Sequence, residues 1–123
     1  MTYTDFNTSA GTQLDARLFR SYLRSLIDRF FKILPIKESE SEYGEESFVS
    51  YLQSLQLEIL GCKELIVVLH DDPGVVSLLG ILQYLIDNPD CSVRTVKREV
   101  FRAISICNKL RARYTPPELE GDA

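Results

Sequence analysis

Apolar side chains recur every three or four positions in four stretches of this chain, the spacing that gathers them on one side of an α-helix. Over Leu14–Leu34 they are Phe19, Tyr22, Leu23, Leu26, Ile27, Phe30, Ile33 and Leu34, with Arg17, Arg20, Arg24 and Asp28 turned the other way. Over Glu46–Leu69 the stripe is Phe48, Tyr51, Leu52, Leu55, Ile59, Cys62, Ile66 and Leu69. A weaker second stripe of Val49, Leu60 and Val67 makes this helix apolar over more than half its circumference and predicts a central place for it. The run Leu65–Leu69 has the β-branched content of a strand, but with no second candidate to pair with it the pattern favours helix. Pro73–Asp87 buries Val75, Leu78, Leu79, Leu82, Leu85 and Ile86, and a last helix from Val93 to Tyr114 buries Val96, Val100, Ala103, Cys107 and Leu110.

The breaks between these stretches have their own chemistry. Thr12 and Asp15 resemble a capping box ahead of the first helix, and Pro35 is expected to end it, because a residue before proline is pushed out of the α region. Lys37–Glu46, KESESEYGEE, reads as an exposed acidic loop. Asp72 followed by Pro73 is an N-cap with proline at the first helical position, and Ser92 caps the last helix after an Asn88-Pro89 turn. Gly80 within the third helix either lets another helix approach closely or costs about 1 kcal/mol relative to alanine. The prediction is all-α: an antiparallel four-helix bundle-like domain over residues 14–114, with a flexible N-terminal segment 1–13 and a flexible C-terminal tail 115–123.

Length and composition agree with one domain and one core: 123 residues, 45% apolar and 26% charged. No apolar run reaches the length of a membrane span, and the polar start Met1–Gln13 lacks a secretory pattern, so a cytoplasmic protein without membrane contact is expected. Cys62, Cys91 and Cys107 form no paired short spacing, which suits reduced thiols, with Cys62 and Cys107 as small core residues.

Charge changes the picture more than composition does. The chain carries −4 overall, but Ser92–Tyr114 holds seven basic residues against the single Glu99, a net of +6, leaving −10 elsewhere. Five of the cations, Arg94, Arg98, Arg102, Lys109 and Arg113, fall within about 100° of arc opposite the core face of the last helix. A solvated face balanced by neighbouring acids is the plain account of such a stripe. A docking surface is the functional one, because arginine suits two-point contacts with carboxylates and phosphates.

Other chemistry is sparse. His70-Asp71-Asp72 is one histidine beside a helix cap, weak ground for a metal or a proton relay. There is no second histidine, no glycine-framed nucleophile and no glycine-rich phosphate cradle, so neither enzyme activity, nor a cofactor, nor a metal is expected. Leu79–Phe101 has the rhythm of the opening of a helix-turn-helix, which would put Arg94, Thr95, Lys97 and Arg98 nearest the bases, but no Gly or Pro breaks the chain again before Pro116. The expectation is a non-enzymatic interaction or regulatory module, an adaptor docking a macromolecular partner, an acidic protein first, through the basic last helix, the acidic loop, or both. A DNA-binding regulator and a receptor for a small phosphate-bearing ligand stand as alternatives. The excess apolar positions Leu57, Leu60, Val67 and Val68 suggest a homodimer.

Overall fold

The structure is a computed structural model that describes residues 5–7 and 13–114, with side chains from Arg17 to Tyr114. The domain is all-α. Among the described residues six helices follow one another, α1 (Ala16–Phe31), α2 (Ile33–Glu38), α3 (Glu40–Tyr43), α4 (Glu45–Leu65), α5 (Pro73–Asp87) and α6 (Val93–Tyr114), with a 3₁₀ turn at Val67–Leu69. Ahead of them two three-residue strands, β1 (Asp5–Asn7) and β2 (Gln13–Asp15), pair antiparallel with Phe6 opposite Leu14.

The four long helices neighbour one another in a ring. Phe19 meets the Tyr114 ring and Phe31 meets Phe101, so α1 and α6 run antiparallel. Glu58 accepts from Tyr22 and Arg29, and the Tyr51 hydroxyl donates to the Arg29 carbonyl, which sets α4 antiparallel to α1. Gln56 bonds Gln83 between α4 and α5. A Cβ on Gly74 would lie 3.2 Å from Leu110, while Gly80 and Tyr84 share a groove with Arg98 and Arg102, so α5 descends as α6 rises. Phe19, Phe30, Phe48, Leu52, Leu82 and Val100, drawn from all four, are almost wholly enclosed. At about 1.5–3 kcal/mol for each fully buried side chain, this core is what holds the helices together.

Five expectations need correction. Leu14 and Asp15 lie in β2 rather than in the first helix, which begins at Ala16; residues 1–4 and 8–12, Thr12 among them, and the tail 115–123 lie outside the described residues. Pro35 breaks the first helix three residues upstream of itself. Lacking an N–H, it cannot bond the Phe31 carbonyl, so α1 stops at Phe31 and α2 restarts with Pro35 in its first turn, where a missing donor costs nothing.

The acidic stretch is helical too, because it has an internal anchor. Lys37 is buried; its Nζ donates to the Pro89 carbonyl at 2.7 Å and to Glu40 at 3.0 Å, and lies 4.9 Å from the Phe48 ring. Gly44, at φ +86°, makes the break before α4 in a region side chains rarely enter. The long second helix ends at Leu65, four residues short of expectation. Ile66 turns extended (φ −97°, ψ 112°), and the 3₁₀ turn that follows lets both Ile66 and Leu69 reach the core. The second stripe is not enclosed: Leu60 and Val67 are 42% and 45% exposed and Val49 is half-buried, and Leu57, outside that stripe, is 68% exposed.

Candidate functional site

The site is the outward face of α6. Ser92 starts the helix by accepting the Thr95 N–H at 3.1 Å. Val96, Val100, Ala103, Cys107 and Leu110 then lock its rotation by filling the core, each at most 1% exposed. With that phase set, Arg94, Lys97, Arg98, Arg102 and Lys109 all project to solvent. Arg94 to Arg102 spans about 12 Å of helix axis, a row long enough to meet two turns of a partner helix.

Two of the cations are organised from within. Glu99 is buried, its side chain only 8% exposed, and its carboxylate lies 3.2 Å from Arg102 Nη1 and 3.5 Å from Arg98 Nη2. The two arginine side chains are themselves about two-thirds exposed, and each guanidinium has five donors, so each keeps donors for an external acceptor. Beside them a groove of about 420 Å³ runs between α5 and α6, lined by Ser77, Gly80, Tyr84, Arg98, Glu99 and Arg102.

Arg113 belongs elsewhere. Its Nη1 donates to Asp72 Oδ2 at 2.8 Å, and the Tyr114 hydroxyl donates to the same oxygen. Asp72 Oδ1 meanwhile accepts the Gly74 and Val75 N–H groups at 2.8 and 3.3 Å. Burial acts to raise the Asp72 pKa, but the Tyr114 hydroxyl, the two backbone donors and Arg113 outweigh it and hold the carboxyl below its usual range. Asp72 is thus a cap for α5 and a clasp for the end of α6, and Arg113 serves the fold before any partner.

The basic surface extends onto α1 instead. Burial, then the nearby charges of Arg24 and Arg20, push the Arg111 guanidinium below its ordinary pKa. An aromatic pair that the sequence reading missed lies further along the same seam. Phe101 and Phe31 are 47% and 42% exposed with ring centroids 5.8 Å apart, edge to face. Phe101 follows Lys97 by four residues and Arg98 by three, so an apolar anchor sits inside the cationic row. An aromatic at the centre of a polar arc was the available signal; its partner from α1 was not visible until the helices were packed.

The remaining candidates are structural. His70 Nε2 lies 2.8 Å from the Glu64 carbonyl and Asp72 is the cap, so this histidine and aspartate are held to the backbone on either side of the 3₁₀ turn. Among the described residues no three His, Cys, Asp or Glu side chains gather to hold a metal ion, and no helix is long and apolar enough to cross a membrane. α6 runs unbroken for 22 residues, so the Asn88-Pro89 turn joins a helix pair without a further break. Compared with protein-family models, curated proteins and solved structures, the chain matches none.

Proposed function

We propose that this chain is a non-enzymatic interaction module that docks an acidic protein partner on α6, by electrostatic steering followed by apolar contact at Phe31 and Phe101. One observation carries the reading: four exposed cations, Arg94, Lys97, Arg98 and Arg102, surround an exposed phenylalanine on a molecule whose remaining charge is negative. Clustered charge of one sign speeds encounter and selects partners, while an aromatic anchor supplies the desolvated contact that lasts. A protein is favoured over nucleic acid because Phe31 caps Phe101 edge to face, which leaves a wedge rather than a flat platform for bases.

The test is affinity capture from the native host with mass spectrometry, wild type against Arg98→Glu/Arg102→Glu and against Phe101→Ala. Both variants are expected to keep their helical circular dichroism and to lose the same acidic proteins. Capture that survives both changes removes the reading. The helix-turn-helix alternative predicts a steeply salt-dependent DNA mobility shift lost with Arg94 and Lys97. A small phosphate-bearing ligand would instead raise the melting temperature on its own. Self-association draws on the opposite face, where Leu57 and Leu60 stay exposed on α4, and light scattering that gives a monomer mass removes it.

A further inference from the structure

Gly80 sits in the middle of α5, exposed, with nothing within 4 Å of the place a Cβ would occupy. Alanine there would fit the fold and favour the helix, so no internal packing explains the glycine. What it does provide is an open floor for the groove between α5 and α6. Arg98 and Arg102 stand on one wall with their guanidiniums tethered by Glu99, and the hydroxyl-bearing Ser77 and Tyr84 stand on the other.

Resting on the docking role proposed above, we infer that this groove receives one helix of the partner, crossing α5 at Gly80, with a carboxylate side chain between Arg98 and Arg102. Three features select that occupant. A helix backbone approaches another closely only where side chains are small, and Gly80 with Ser77, three residues earlier on the same face, gives that approach. The Arg pair supplies charge complementarity for Asp or Glu, and the buried Glu99 restricts where the guanidiniums point before binding, which reduces the ordering cost. Tyr84, 41% exposed, gives an apolar body with a polar tip at the rim.

The experiment uses a synthetic amphipathic helical peptide of leucines and glutamates as the probe, followed on the whole chain by amide chemical shifts. The expected result is perturbation at Ser77, Gly80, Tyr84, Arg98 and Arg102. Gly80→Leu, which fills the groove, should weaken binding by at least about tenfold while raising the melting temperature; Gly80→Ala should raise the melting temperature and weaken binding less. That combination separates the site from a folding defect, since a more stable protein then binds worse. Equal peptide affinity in Gly80→Leu and wild type, or shifts confined to Arg94, Lys97 and Phe101, would overturn the groove while leaving the docking role in place. No binding of the acidic peptide, with single-stranded nucleic acid bound instead, would overturn both.

Discussion

Asp72 shows how much one side chain can connect. It joins the start of α5, through Gly74 and Val75, to the end of α6, through Arg113 and Tyr114. Replacing it with alanine is expected to cost about 1–3 kcal/mol, read as a drop in thermal midpoint, because the cap is lost and the Tyr114 hydroxyl loses its acceptor. The same residue gives stability a pH dependence. Its folded pKa lies below the unfolded value of about 3.9, so its contribution is complete above that pH and is lost as pH falls through the folded value. On the alkaline side burial and Asp72 raise the Tyr114 pKa to about 12, so stability is full below about 10 and declines as pH rises towards 12. Urea titrations of wild type and Asp72→Asn across pH should show the acid arm flattened in the variant. Cys107 gives an independent check at this scale. It is wholly enclosed in the core and burial pushes its thiol up to about 12, so iodoacetamide at neutral pH should label it only on global unfolding, as mass spectrometry with and without denaturant will reveal.

Two glycines make opposite predictions for the elements they occupy. Gly44 has φ +86°, so Gly44→Ala should destabilise the chain by about 1–3 kcal/mol by straining the junction of α3 and α4. Gly80 lies within α5 with open space at its Cβ position, so Gly80→Ala should stabilise by about 1 kcal/mol. Paired thermal melts decide both signs. The elements were legible to different degrees for related reasons. α5 and α6 each carry a local signal at their start, Asp72-Pro73 and Ser92, and their predicted bounds match the structure. The region from Phe31 to Glu46 has Pro35 and Gly44 as breaks but no side-chain cap at any helix start. Its helices depend on Lys37 reaching Pro89, 52 residues away, and no local pattern reports a bond of that span.

For the molecule as a whole, the uneven charge distribution sets an expectation about kinetics. With +6 on Ser92–Tyr114 and −10 elsewhere, association with an acidic partner should slow markedly between about 50 and 300 mM salt, as the screening length shrinks, while dissociation changes little. Surface plasmon resonance on the captured partner measures both rates; an association rate indifferent to salt would dismiss steering. The site itself was partly legible. Arg94, Arg98, Arg102 and Lys109 are exposed as the stripe implied, whereas Arg113 is drawn into the Asp72 clasp. Phe31 and the groove at Gly80 were not legible, because each needs two helices side by side.

Sequence alone determined what repeats locally: four apolar stripes, hence helices, and one helix whose outer edge is basic. Periodicity suffices for that, because a side chain's direction on a helix follows from its number. Only the tertiary structure decided which cations are already taken, which aromatic stands beside them, and where a groove opens. Those depend on residues brought together from distant parts of the chain, and a one-dimensional pattern does not record which distant residues meet when the core closes.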